Sequence, residues 1–354
     1  MLRPLLRRTL VEAGAGFDIA VVRIAQELAK RATSRRQDVA ERLTYLNSVA
    51  SAYGEVDPAQ FYAKPPRVED HGQSRVRDLE LGEVLDVTWP SGWTCARDDQ
   101  RARFNRWREN NVVHTRWFRH RDRPAPAIIC IHGYRAGTFT FEERAFGAPW
   151  LYRLGLDVAL FTLPFHALRA PGNRRTTPLF PTADVGRTNE AFGQAMWDLR
   201  GLIQVLRDRG APSVGVMGMS LGGYTTALLA TVESELDYAI PYIPLSDLTD
   251  VVVEHEALRG TVVPAELIDA GKRAMALVRP LARRPTVAGD NVMLVAAEGD
   301  RITRTSHAKA LSEHFQSSMV TFPGAHLLQF GRREAFAAIA KFLAHRHIIA
   351  PRKR

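Results

Sequence analysis

Apolar residues recur at helical spacing twice near the start of the chain, at Phe17, Val21, Ile24 and Leu28 and again at Val39, Leu43, Leu46 and Ala50. Each set predicts one amphipathic helix. An irregular stretch with Pro58, Pro65 and Pro66 follows and marks a boundary. From about Val76 the pattern changes to short β-rich runs. Leu85–Trp89 and Val112–Phe118 read as two strands that lead into a sheet.

The remainder alternates between the two periods. Ala127–Ile131, Leu156–Leu163 (ended by Pro164), Ser213–Met217, Tyr238–Ile240 and Val292–Ala296 are short apolar runs that read as buried strands. Between and after them lie helical patterns: Phe192, Ala195, Met196, Leu199, Leu202, Ile203 and Leu206, stopping near Gly210; the run from Leu221; Ala265 to Val278; Ala308, Leu311 and Phe315; and Phe336, Ile339 and Leu343. Alternating strand and helix predicts an α/β fold, a mostly parallel sheet flanked by helices on both faces. The organisation expected is a helical N-terminal extension over 1–75, a main domain over 76–345 with a mostly helical insertion at about 248–288, and a basic tail over 346–354.

Composition narrows this picture. The 354 residues are 45% hydrophobic and 24% charged, as in ordinary globular proteins. No apolar run approaches the ~20 residues that cross a bilayer. The start, although basic, has neither a continuous apolar core nor a small-residue cleavage site, so no secretory signal is expected. Two cysteines, Cys95 and Cys130, read as structural thiols in a reducing cytoplasm, which is the expected location.

The net charge of +10 attracts anionic partners in general. Part of it lies at the ends, in Arg3, Arg7, Arg8, Arg23, Lys30, Arg31, Arg35 and Arg36 and in Arg352, Lys353 and Arg354. No zinc-finger spacing, RNP motif or P-loop accompanies it, so specific nucleic-acid binding is not expected. The favoured reading is a solvated basic surface. Weak contact with an anionic membrane surface is the second, because Leu2, Leu5 and Leu6 beside Arg3, Arg7 and Arg8 form a basic amphipathic start.

The candidate chemistry centres on Gly218-Met219-Ser220-Leu221-Gly222, a G-x-S-x-G sequence. Chance supplies that spacing in about a tenth of chains this long, but here an apolar strand precedes it and an apolar helix follows. That strand–turn–helix placement is what the motif requires, with glycines letting strand and helix approach closely. A serine hydroxyl is a weak nucleophile and needs a base. Of the 11 histidines, His326 is late, loop-borne and strand-terminal, in Phe322-Pro323-Gly324-Ala325-His326. Asp300, in Ala297-Glu298-Gly299-Asp300, ends the preceding strand and supplies the carboxylate such a base needs. Asp247, after the strand at 238–240, is the alternative acid. The segment Leu163–Arg175 leaves a strand at the same sheet edge, so His166 and Arg169 are candidate substrate contacts.

The order Ser220, Asp300, His326, each in a loop after a strand, resembles the α/β-hydrolase superfamily over about Val76 to Leu343. Ile131-His132-Gly133-Tyr134 resembles the His-Gly segment that supplies half of the oxyanion hole in many members. The resemblance implies an α/β-hydrolase fold, with oxyanion donors at the backbone N–H groups of Tyr134 and Leu221. It also implies that His132 orients that loop, with His132 and Gly133 near the substrate, and that the insertion after Asp247 forms a cap. Neither cofactor nor metal is implied. The function expected is a serine hydrolase acting on a small acyl ester. A thioesterase, acyltransferase or peptidase on the same triad would look alike, and a non-catalytic binding protein of the same fold is the rival from another class.

Overall fold

The computed structural model describes residues 2–32, 38–172, 178–258 and 260–351. Arg35, Arg36, Asn173, Arg174, Arg175, Arg352, Lys353 and Arg354 lie outside the described residues. So do the side chains of Leu2, Arg3, Ile24, Leu28, Lys30 and Arg31.

Among the described residues nine strands form one sheet. They are β1 (Gly72–Leu79), β2 (Gly82–Pro90), β3 (Val112–His120), β4 (Ala127–Ile131), β5 (Asp157–Phe161), β6 (Val214–Met219), β7 (Tyr238–Tyr242), β8 (Met293–Ala297) and β9 (Ser318–Phe322). Their spatial order is β1-β2-β3-β5-β4-β6-β7-β8-β9. The pairs β1–β2, β2–β3 and β3–β5 are antiparallel, and every pairing from β5 to β9 is parallel.

Three helices precede the sheet: α1 (Leu2–Ala32), α2 (Val39–Gly54) and α3 (Pro58–Phe61). Next comes α4 (Asp98–Phe104), between β2 and β3, then α5 (Phe139–Ala145) and α6 (Ala148–Arg153), between β4 and β5. The crossovers to β6 and β7 use α7 (Val185–Asp208) and α8 (Leu221–Leu229). Between β7 and β8 lie α9 (Leu248–Ala257) and α10 (Ala265–Ala274), and α11 (Thr305–Phe315) leads to β9 before α12 (Arg332–His345).

Every residue of β4 to β8 is buried, as expected of strands covered on both faces. Alternate residues point to opposite faces. Ile129, Val216 and Ala239 join one core with Leu199 and Leu202 of α7, whereas Ile128, Met217 and Ile240 join another with Ile339 and Leu343 of α12. The face of α7 expected from its spacing, Phe192 through Leu206, is buried throughout. Asp184 starts this helix by accepting the N–H of Arg187.

One strand was not anticipated, and one expectation needs correction. Strand β1 had no apolar alternation to reveal it, since it is an exposed edge strand of the sequence Gln73-Ser74-Arg75-Val76-Arg77-Asp78. In α1 the helix is present but, among the described side chains, its packed face differs from the apolar set. Gly14, Ala15, Asp18 and Val22 are buried, while Phe17 is 44% exposed. The face is built from small residues because main chain comes within contact of it. A Cβ on Gly14 would stand 2.8 Å from Ala325 Cβ.

The basic start is also partly committed inward. Arg7 binds Glu298 through two hydrogen bonds, of 2.6 and 3.1 Å, and reaches Glu334, while Arg8 pairs with Glu12. No helix among the described residues is long and apolar enough to cross a membrane. Because the parallel strands run one way, β4, β6, β7, β8 and β9 all deliver their C-terminal loops to one edge of the sheet. Ligands of open α/β sheets bind along that edge.

Candidate active site

Ser220 stands between β6 and α8 with φ 56° and ψ −114°, a left-handed conformation rarely adopted by a residue with a side chain. Its neighbours show why the turn needs glycine. A Cβ on Gly218 would lie 2.1 Å from the carbonyl oxygen of Gly222, and one on Gly222 would lie 1.9 Å from that of Ile131. The strand, the helix and the end of β4 therefore meet at backbone contact, and the serine is left at the apex. Its N–H donates to the Tyr242 carbonyl at 3.0 Å. Leu221, the first residue of α8, has an N–H with no acceptor inside the helix. Among the described residues Ser220 Oγ forms no hydrogen bond, and none joins it to His326.

The loops after β8 and β9 do meet. His326 Nδ1 and Asp300 Oδ2 are 2.7 Å apart, with the Asp300 side chain 1% exposed. The other carboxylate oxygen, Oδ1, accepts the N–H groups of Ile302 (2.9 Å) and Thr303 (2.7 Å). Those bonds leave Oδ2 to face the imidazole. Thr303 Oγ1 sits 3.1 Å from both Asp300 Oδ2 and His326 Nδ1 and 3.0 Å from the Ile243 carbonyl, so its single proton is shared between two oxygen acceptors beside the ring. Burial works against charge on His326, but the charge and hydrogen bond of Asp300, helped by the charge of Asp18, outweigh it. The imidazole pKa is raised above 6.5.

Asp247 is placed elsewhere. It caps α9 by accepting the Thr249 N–H, and its second oxygen accepts from Arg279 Nε at 2.6 Å. Both oxygens are thus occupied, and no hydrogen bond joins it to His326 among the described residues.

The segment after β4 lies against the serine turn, since a Cβ on Gly133 would be 3.5 Å from Ser220 Cβ. His132 Nε2 accepts the Leu163 N–H at 3.0 Å, so the proton belongs on Nδ1, which donates to the Gly133 carbonyl at 2.8 Å. Burial lowers the His132 pKa to about 4, so the ring is neutral. The carbonyl of Gly133 and the N–H of Tyr134 share one planar trans peptide and point opposite ways. By holding the carbonyl, His132 directs the Tyr134 N–H away from itself. That N–H has no acceptor among the described residues. Gly137, at φ 108°, has no room for a side chain, because a Cβ there would stand 2.6 Å from His132 Nε2.

Two expected substrate contacts point inward instead. Arg169 is fully buried, pairs with the fully buried Asp198 at 2.8 Å and donates to the carbonyls of Asn110 and Thr162. It is a core ion pair rather than a ligand contact. His166 is also fully buried, with Nδ1 on the Pro164 carbonyl and its ring edge-on to Tyr134 at 6.0 Å. Burial pushes its pKa down to about 3.

Sequence reasoning passed over Thr303 and Asp18. Asp18 lies on α1, far from the motifs in sequence. Its Oδ2 accepts the N–H groups of His326 (2.9 Å) and Arg301 (3.2 Å), and its Oδ1 accepts that of Leu327 (3.1 Å). The available signal was Gly14 inside the helix, with an acid four residues after it. Glycine inside a helix costs about 1 kcal/mol against alanine and calls for a packing reason.

No model of a known protein family matches the chain. Uncharacterized proteins from two strains of Mycobacterium tuberculosis are each 27% identical to it over 335 residues, 91% of this chain and 79% of theirs. Among solved structures, an acetyl xylan esterase from a Thermoanaerobacterium species is similar with a TM-score of 0.53 and 16% identity, over 84% of this chain and 92% of that one. A second, from a Paenibacillus species, has a TM-score of 0.56 and 13% identity, over 86% and 99%. With its strand order and its parallel strands ending in loops at one edge, this chain has the α/β-hydrolase fold.

Proposed function

We propose that this protein is a serine hydrolase that cleaves carboxylic esters through an acyl-enzyme, with Ser220 as nucleophile, His326 as base and Asp300 as the acid. The observation that carries the reading is the 2.7 Å contact between His326 Nδ1 and Asp300 Oδ2. It fixes the tautomer in which Nε2 is free to accept a proton, and among the described residues Nε2 has no partner.

In the first half-reaction Ser220 Oγ bonds to the acyl carbon while its proton passes to His326 Nε2. The negative charge on the former carbonyl oxygen is met by the N–H groups of Tyr134 and Leu221. Loss of one such donor typically costs about 3 kcal/mol of transition-state stabilisation. Collapse breaks the bond to the leaving oxygen, which takes the proton from His326 and departs as the alcohol. Water then gives its proton to His326 and attacks the acyl carbon, releasing the acid and restoring Ser220. The acetyl xylan esterases that share the fold agree with an ester substrate.

Hydrolysis of p-nitrophenyl esters of graded acyl length tests this reading. Wild-type protein should release p-nitrophenol with a burst of one equivalent per chain whenever deacylation is the slower step. Ser220→Ala should lower turnover by several orders of magnitude while keeping the fold. A folded Ser220→Ala protein with wild-type turnover would exclude Ser220 as nucleophile.

A further inference from the structure

Helix α1 lies across the two loops that carry Asp300 and His326, and four of its residues at helical spacing touch them. Arg7 binds Glu298, the second residue before Asp300. The Val11 carbonyl and the Gly324 carbonyl close on Gly299, where a Cβ would stand 2.5 and 2.6 Å from them. Gly14 packs on Ala325, the residue before His326. Asp18 completes the row. It is wholly buried, and its carboxylate accepts three main-chain N–H groups, two from the His326 loop and one from the Asp300 loop. Hydrogen bonds to an ionised acceptor are shorter and roughly twice as strong as neutral ones. The two loops are also joined directly, with Gly299 N–H donating to the Gly324 carbonyl at 2.7 Å.

We propose that Asp18 is a positioning residue for the base: its carboxylate ties the main chain of His326 and Leu327 to that of Arg301, and its charge stabilises the imidazolium that forms when His326 takes a proton. This rests on the serine-hydrolase reading of Ser220 and His326. It gives the N-terminal segment a defined task, since the minimal fold has no such helix.

Three titratable groups bear on His326 from separate elements. Asp300 comes from the loop after β8, Asp18 from α1 and His255 from α9. Both carboxylates favour the charged imidazole, and charge on His326 in turn disfavours charge on His255. Removing the Asp18 charge therefore has two separable effects. Loosening the loop slows the reaction at every pH. Loss of a negative charge moves the titration of His326 to lower pH, which loosening alone does not require.

The test is the second-order rate at which a fluorophosphonate modifies Ser220 in the full chain, measured from pH 5 to 9. Wild-type protein and Asp18→Asn are compared, with thermal melting as the check on folding. Asp18→Asn should react between about tenfold and a hundredfold more slowly at the plateau, as expected of a misplaced base. The midpoint of its acid limb should lie at lower pH than in wild type. A folded Asp18→Asn protein with wild-type rate and midpoint overturns the proposal. Should Asp18→Asn fail to fold, Gly14→Ala takes its place, because the added methyl pushes α1 from Ala325 while leaving the carboxylate intact. Slower labelling of folded Gly14→Ala supports the proposal, and unchanged labelling overturns it. Wild-type protein that resists the probe would defeat the serine reading itself, a result distinct from labelled wild type with unaffected variants.

Discussion

Asp18 Oδ2 accepts the main-chain N–H of His326 at 2.9 Å across 308 positions of sequence. A carboxylate from the first helix thus holds the loop of the last strand. Around that link the proposed chemistry makes separate predictions.

Asp300→Asn should lower turnover by up to about 10⁴, because an amide packs in the carboxylate's place but does not stabilise the imidazolium. Asp247→Asn should lower turnover far less, since that buried residue serves the Arg279 pair and the α9 cap rather than His326. Steady-state kinetics of both folded variants decide the matter. A larger loss in Asp247→Asn would move the acid to the earlier strand.

The pH dependence follows from His326. Its folded pKa is raised above 6.5 by Asp300 and Asp18 in spite of burial. Only the neutral ring accepts the serine proton, so kcat/KM should fall as pH drops through a midpoint above 6.5. A profile that stays flat well below that value would contradict the assignment of the base.

Breaking the Arg169–Asp198 pair should affect stability first. With both side chains wholly buried, Arg169→Met leaves Asp198 unpaired and should cost about 3–5 kcal/mol. The double variant Arg169→Met, Asp198→Leu should recover much of that loss. Chemical denaturation reads both. An undiminished unfolding midpoint in Arg169→Met would mean that the pair contributes nothing.

Glycines at the site and on the surface should respond oppositely to alanine. At Gly222 the new Cβ meets the Ile131 carbonyl oxygen at 1.9 Å, so Gly222→Ala should disrupt the serine turn and abolish activity. At Gly16, within α1, nothing lies within 4 Å, so Gly16→Ala should gain up to about 1 kcal/mol from helix propensity. Melting temperature and turnover measured together separate the two outcomes.

How much was legible in the sequence depends on how local each constraint is. The turn at Ser220 announces itself because its glycines sit two positions away on either side. Asp300 is visible because it follows an apolar strand in a glycine-containing loop, and His326 because it sits in a late Pro-Gly loop before the last helix. Arg169 misled because Pro164, Pro171 and several arginines give its loop a surface composition, whereas folding turns it onto Asp198. A clue lay on α7, where Asp198 falls among Ala195, Leu199 and Leu202 and so needs a buried partner. The face of α1 was misassigned because contact there is made by Gly14, Ala15 and Asp18. Small and charged residues carry no hydrophobic signal. Asp18 acts through main-chain N–H groups, which leave no residue-type signature at all.

The central claim, that Ser220 is a nucleophile activated at this edge, is tested most directly by one reaction. A fluorophosphonate bonds its phosphorus to the serine oxygen and loses fluoride, with the base taking the serine proton. Peptide mapping by mass spectrometry then locates the adduct. The account predicts a single stoichiometric modification at Ser220, absent from Ser220→Ala and strongly slowed in His326→Ala. Modification at another residue, or undiminished labelling of folded Ser220→Ala protein, would contradict it.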